Sequence, residues 1–309
     1  MRALLASELR RATSRRLVRL AVVGALTGIA VGGVLTAVHS NSPTETELAN
    51  ARAEYRASLQ RCLSGHQIQP SQLPRGISLE PFCHDSVRIQ YYLPSDSFNL
   101  SGLPDILSHT SILVILGALL IGASLTGAEW HAGTMTTLLT WEPRRMRVLA
   151  VKATVAVAVI ATLAVVLFTV LSFVLWLVAA TRGFTGGIEG AFVRSVVSVI
   201  LRASAAASVA GIVGLAIAML GRSTTAALGI GFAYLGVLEG LIRGLRPNLQ
   251  PWLFGDNMAI FVNGQSQVLD LGKGREVVRT VGFAAVVVGT YAALLLAAAA
   301  ASFRARDVT

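Results

Sequence analysis

Charge is scarce in this sequence. Only 14% of its 309 residues are Asp, Glu, Lys or Arg, where a soluble domain carries about 25%. Hydrophobic residues make up 54%, and mean hydropathy is +0.65. A chain this long and this apolar has too little polar surface to coat one or two aqueous cores, so a polytopic membrane protein is expected. Disorder, collagen, coiled coil and a small disulfide scaffold are excluded by the same figures. Catalytic signatures are missing as well. There is no H-E-x-x-H and no G-x-x-x-x-G-K-[ST], because Gly272-Lys273-Gly274 is not followed by Ser or Thr. Gly122-Ala-Ser124-Leu-Thr126 approaches G-x-S-x-G, but the last glycine arrives one residue late, at Gly127. No histidine is placed to serve that serine as a base. An intramembrane hydrolase is therefore a distant reading. No catalytic residue and no metal site are assigned, and the chain itself is not expected to be an enzyme.

Six stretches reach the roughly 20 apolar residues that a transmembrane helix needs. They are residues 20–38, 106–126, 148–180, 192–220, 226–245 and 281–302. The third and fourth are long enough to tilt or to run past the hydrocarbon. The expected fold is thus an all-α polytopic membrane protein of six spans. Residues 1–19 read as a short interfacial helix, with Leu5, Leu9 and Ala12 on one face.

Of the 26 basic residues only Lys152 and Lys273 are lysine, a bias expected of a GC-rich bacterial genome. Their distribution orients the spans. Arg2, Arg10, Arg11, Arg15, Arg16 and Arg19 precede the first span. Arg144, Arg145, Arg147 and Lys152 lie between the second and third, Arg222 follows the fourth, and Arg304 and Arg306 end the chain. With six spans all of these fall on one side, read as cytoplasmic, together with both termini. The 39–105 loop lies opposite and carries five Arg against seven Asp or Glu. The net charge of +10 is therefore a topology signal. A nucleic-acid face would need a soluble basic platform, and none is visible.

Cys62 and Cys83, the two cysteines, both lie in the 39–105 loop. On the oxidising side of a membrane they are expected to pair. A metal site of Cys62, His66, Cys83 and His84 is the alternative, made awkward by the adjacency of Cys83 and His84. Ser42-Pro43-Thr44-Glu45 reads as a capping box, and Leu48, Tyr55, Leu59 and Cys62 follow as a helical stripe.

Polar residues inside spans are expensive and normally face protein or a water-filled cavity. Arg194, Ser195, Ser198 and Arg202 share one face of the fourth span, and Glu239 and Arg243 lie one turn apart in the fifth. Arg202, with Glu239, either lines a translocation cavity or forms a structural ion pair between spans. Arg194 and Arg243 sit near span ends, where arginine snorkels. Gly24, Gly28 and Gly32 recur every four residues in the first span, which suits close helix packing.

The stretch 127–147 is the most informative. Glu129 and Trp130 close the second span, followed by His131. Gly133 and Thr134 open a short apolar turn from Met135 to Leu139. Pro143 ends it, and Arg144 and Arg145 lead into the third span. The pattern predicts a short surface helix between two spans, with Trp130 and Trp141 as interfacial anchors.

Glu129, Gly133-Thr134, Leu138-Leu139, Pro143-Arg144-Arg145 and Lys152 together resemble the permease subunits of type-2 ATP-binding-cassette (ABC) exporters. The tail Phe303-Arg304-Ala305-Arg306-Asp307 and the count of six spans agree with that likeness. The resemblance implies that 127–147 holds a coupling helix seated in a separate ATP-binding subunit. It implies two such subunits, with ATP and Mg bound there and no cofactor in this chain, and a second permease copy or homologue. The setting would be the bacterial cytoplasmic membrane, with a lipid bilayer around the spans. It also suggests re-entrant half-helices within 246–280, where the residues alone allow a plain outer loop. The long 39–105 loop departs from the family pattern. A membrane sensor or envelope-assembly protein that binds a partner through that loop is the competing reading.

Overall fold

A computed structural model describes residues 2–65, 79–94, 97–186, 190–270 and 276–305. His66, Lys273 with its flanking glycines, and Arg306 with Asp307 lie outside the described residues. The chain runs from α1 (Arg2–Ser14) into α2 (Arg16–Val38), then α3 (Glu45–Leu63) and α4 (Leu79–Ser86). After the two-residue strand β1 (Phe98–Asn99) come α5 (Leu103–His131), α6 (Thr134–Trp141) and α7 (Arg145–Arg182). Strand β2 (Gly183–Phe184) precedes α8 (Gly190–Gly221). Next come α9 (Thr224–Phe232), a π-helical stretch Ala233–Leu238 and α10 (Glu239–Leu245), continuous as one rod. A 3-10 segment Pro247–Trp252, α11 (Phe254–Asn263), strands β3 (Gln267–Asp270) and β4 (Glu276–Arg279), and α12 (Val281–Ala305) complete it.

Six helices among the described residues are long and apolar enough to cross a membrane, and they fall where hydropathy puts them. The fold is that of an all-α multi-pass membrane protein. At 1.5 Å per residue, the 38 residues of α7 rise about 57 Å, well beyond a hydrocarbon layer of about 30 Å. The burial pattern suits lipid as solvent. The most apolar stretch of α8 is 78% buried, while that of α2 is only 6% buried.

The chain divides into two compact units. Unit 1 comprises 1–27, 104–170 and 193–309, and α8 is its central post. Ala203, Ala206, Ala207, Ala210, Leu215 and Ala218 are fully buried along it. A Cβ on Gly122 of α5 would collide with the Gly211 carbonyl of α8, and one on Gly214 with the Leu119 carbonyl. These two helices therefore touch backbone to backbone, which only glycine permits. Gly24 of α2, by contrast, faces open space within the chain. Close glycine contacts among the described residues of this unit include this one between α5 and α8.

Unit 2 comprises 28–103 and 171–192. Thr44, not Ser42, is the N-cap of α3. Its hydroxyl accepts from the Glu47 N–H at 3.3 Å, and the Glu47 carboxylate accepts from the Thr44 N–H at 2.8 Å. The box therefore starts two residues later than the first Ser-x-x-Glu match, because Glu47 reaches back to Thr44. Ala51, Ser58 and Cys62 are buried on α3, with Leu48, Tyr55 and Leu59 half-buried beside them. Cys62 and Cys83 form the expected disulfide, with a Cα–Cα distance of 5.7 Å. It ties α3 to α4, and both cysteines are buried.

The Ser40 hydroxyl donates to the Arg182 carbonyl at 2.6 Å and accepts from the Phe98 N–H at 2.9 Å. It braces the parallel pairing of β1 with β2. Gly28 and Gly32 also face open space within the chain, and Gly33 instead packs tightly on Val174.

Candidate functional site

The 127–147 stretch folds as its residues dictate. Gly133 adopts φ +66°, the left-handed region that glycine tolerates best, and turns the chain sharply after α5. Thr134 opens α6, and its hydroxyl donates to the Glu129 carbonyl at 3.4 Å. Met135 and Leu138 are buried on the inward side, while His131, Thr134, Pro143 and Arg144 are exposed. Glu142 leaves the helix in extended backbone, as the residue before a proline favours. Trp141 is 85% exposed at the tip of α6.

Behind α6 lies a buried charge cluster. The Lys152 ammonium of α7 donates to Glu129 at 2.6 Å and to Glu8 of α1 at 2.9 Å. Arg15 donates to the other Glu129 oxygen at 2.7 Å and to the Ser124 and Leu125 carbonyls. Lys152, Glu8 and Glu129 are all buried, and the Arg15 side chain is mostly so. Two acids thus balance two bases in a low-dielectric pocket, and every charged end has a partner. The cluster pins α1, α5 and α7 together at the root of α6.

A second set of contacts fixes the same region. The Trp130 indole N–H donates to the Met219 sulfur at 3.4 Å, and its ring meets Phe303 edge-on at 6.3 Å. Arg222 stacks over that ring at 4.6 Å. Trp130, half-exposed at the end of α5, is thus held in place by protein contacts. Arg145 donates to the Phe303 carbonyl at 3.1 Å and so holds the end of α12. A groove of about 900 Å³ separates α1 from α6, lined by Arg11, Arg15, Glu129, Leu138 and Trp141 among others.

The polar residues of the fourth and fifth spans separate into different environments. Glu239 is fully buried. One carboxylate oxygen accepts from the Gly255 N–H at 2.8 Å, capping the N-terminus of α11, and the other accepts from Arg243 at 3.1 Å. Arg243 also grips Asp256 at 2.7 Å. Arg202 is not a partner of Glu239. Its guanidinium packs over Gly264, the left-handed C-cap of α11. Of the two open readings, Glu239 thus takes the ion-pair one, but with Arg243 on its own rod. Arg194 is exposed, and the Ser198 hydroxyl donates to the Ser195 carbonyl one turn back.

The 246–280 segment folds as one 3-10 turn, the ten-residue α11 and an antiparallel hairpin that pairs Val268 with Val278. Arg279 at the end of that hairpin is buried and donates to Asn257 at 2.6 Å. Burial pushes its guanidinium below the ordinary arginine value, with Asp256 opposing the shift.

Two members of the charge cluster, Glu8 and Arg15, were hidden from sequence reasoning in different degrees. The expected Leu5, Leu9 and Ala12 face is not the inner one, since α1 turns Glu8 and Ala12 inward and leaves Leu9 exposed. Arg15 looked like one of six anchoring arginines. A lone acid in a basic leader, facing a lone lysine at the start of a span, was the available signal. Ser124 keeps its hydroxyl on the Ile121 carbonyl of its own helix. α5 carries two histidines, His109 fifteen residues before Ser124 and the exposed His131 seven after it, roughly 22 and 10 Å of helix rise away. Among the described residues no group of His, Cys, Asp and Glu is arranged to hold a metal.

Compared with known proteins, the sequence matches no protein-family model and no curated protein.

Proposed function

We propose that this chain is the membrane-spanning permease subunit of an ABC exporter. It would sit in the bacterial cytoplasmic membrane with both termini inside. The observation that carries the reading is the bracing of α6. A short helix with an exposed Trp141 tip projects between two spans, and its root is locked by Lys152–Glu129 and Arg15–Glu129 contacts. A lever needs a rigid base, and paired buried charges with satisfied hydrogen bonds supply one.

In this reading α6 rests on an ATP-binding subunit, present in two copies, which holds ATP and Mg. A second permease copy or homologue completes the pathway. Closure of the ATPase pair displaces α6. The ion cluster carries that displacement into α1, α5 and α7 together, and the spans tilt to release a hydrophobic or amphipathic small molecule outward. This chain contributes no hydrolytic residue.

The test is co-purification from native membranes. A P-loop ATPase is expected to accompany the intact chain and to be lost when Trp141→Ala and Thr137→Arg alter the α6 surface. Retention of no ATPase by the unmodified chain would overturn the reading.

One observation favours a second reading. Residues 39–103 share one compact unit with 28–38 and 171–192, and that unit holds a buried disulfide, which suits a partner-binding module of a sensor or assembly protein. Capture of an envelope protein that depends on Cys62 and Cys83, with no ATPase present, would favour it.

A further inference from the structure

Unit 1 holds a second feature that the α6 site does not use. A cavity of about 490 Å³ lies between α8 and the rod of α9, the π-helical stretch and α10. Leu119, Val213, Ile217, Leu235, Tyr234 and Tyr291 are among its walls. Among the described residues no charged one lines it. The nearest acid in sequence, Glu239, is committed to Gly255 and Arg243. Its polar atoms are the two tyrosine hydroxyls, and both are engaged. The Tyr291 hydroxyl donates to the Trp252 carbonyl at 3.1 Å, and the Tyr234 oxygen accepts from the Phe254 N–H at 3.5 Å.

Such a lining is a poor host for water, which needs two to four polar partners. It is also a poor host for an ion, which would be stripped of solvent without a counter-charge. It suits hydrocarbon, and its size is that of a small-molecule site.

The wall beside it is built to give way. A further apolar cavity of about 270 Å³ flanks the same rod and shares Leu119, Gly231 and Leu235. The rod is clamped at its ends. Gly127 closes against Thr224 at one, and Glu239 and Arg243 hold α11 at the other. Its middle, with cavities on both sides, runs through the π-helical turn Ala233–Leu238. Widened turns of that kind recur at functional sites because they loosen helix packing.

We propose that this cavity is a binding site for an uncharged lipophilic molecule, a hydrocarbon chain or ring system, admitted from the bilayer past the π-helical middle of the fifth span. The inference rests on the export reading for its purpose. Its test reads binding by this chain alone, so its failure and that of the ATPase partnership are separable.

The full chain is placed in phosphatidylglycerol nanodiscs and photolabelled with hexadecanol carrying a diazirine in its chain. Labelled peptides are expected to include 213–221 and 230–235. Unlabelled hexadecanol at ten times its half-saturating concentration is expected to reduce that labelling about tenfold by mass action. Labelling of lipid-facing residues such as Val286 and Leu294 should not change. Leu235→Trp, which fills the cavity, is expected to remove the competed labelling. If that variant fails to elute as a folded protein, competition on the unmodified chain decides.

A diazirine phosphatidylglycerol that labels the same peptides as strongly supports the site and identifies bilayer tails as its source. A hexadecanol-specific label supports it and points to a transported guest. Labelling of 213–221 that no competitor reduces overturns the proposal. Equal labelling by a hexadecyl-trimethylammonium probe overturns the uncharged class.

Discussion

Lys152 and Glu129 stand twenty-three residues apart in the chain and 2.6 Å apart in space, with the lysine side chain only 2% exposed. Glu8 shares the same ammonium at 2.9 Å. A lysine this deep, held by two carboxylates from two helices, is a fastening, and its removal leaves both acids short of a partner.

Lys152→Ala is therefore expected to cost about 3–5 kcal/mol, the range for breaking a buried pair from one side. Glu129→Gln should also destabilise, because Arg15 and Lys152 each take a separate carboxylate oxygen and the amide keeps only one acceptor, leaving one cation facing an NH2 group. Denaturant unfolding in detergent micelles measures both. A double-mutant cycle of Glu8→Gln with Lys152→Met is expected to show coupling of about 0.5–3 kcal/mol. Additive effects would mean that α1 is not fastened through this lysine.

Gly214→Leu and Gly122→Val are expected to prevent the α5–α8 contact, since each drives side-chain atoms into a facing backbone carbonyl. Overpacking of even an ordinary core costs about 1–3 kcal/mol, and backbone is less able to yield. Gly28→Ala, which meets nothing within the chain, should leave the fold intact or gain up to about 1 kcal/mol of helix propensity. Size-exclusion profiles and melting curves of the three variants check the ranking. If Gly28→Ala spares the monomer yet lowers assembly with a second copy, the glycine face of α2 acts between chains.

Opening the Cys62–Cys83 bridge releases a loop of sequence separation 21. The chain-entropy model puts the loss at about 3 kcal/mol. A Cys62→Ser, Cys83→Ser variant is expected to expose α3 and α4 to proteolysis while leaving the α5–α8 core resistant. Uniform proteolysis of both units would contradict the division into two compact bodies. Mass spectrometry of native protein should find neither thiol free.

Asn257 is fully buried. It donates to the Pro251 and Leu253 carbonyls at 3.1 and 2.6 Å and accepts from Arg279. Asn257→Leu strips a buried guanidinium of its hydrogen-bond acceptor, and a loss of about 3 kcal/mol is expected. Adding Arg279→Met should restore most of it, because a well-packed apolar pair replaces a stranded charge. Thermal unfolding of the single and double variants reads this directly. A double variant no better than the single one would assign Asn257 its role through the 3-10 backbone instead.

The degree to which each feature was legible follows from how local its cause is. The α6 turn was readable because Gly133 and Pro143 act on their own backbone dihedrals, whatever surrounds them. The start of α3 was misplaced by two residues because Ser42 and Thr44 both offer a capping hydroxyl, and only the reach of Glu47 back to Thr44 separates them. The hairpin after α11 was not anticipated, since its short apolar runs carry too little periodicity to distinguish strand from loop.

By itself the sequence determined six spans, because transfer from water to hydrocarbon adds up residue by residue along a segment. Two cysteines on one loop also left a single possible disulfide, with the metal alternative open until the structure paired them. Only the tertiary structure decided that Glu8 and Arg15 meet Glu129 and Lys152. It alone decided that Glu239 answers Arg243 and the α11 N-terminus rather than Arg202. It alone showed the close glycine contact between α5 and α8. Helical periodicity says which residues share a face; which two faces meet depends on the packing of the whole bundle.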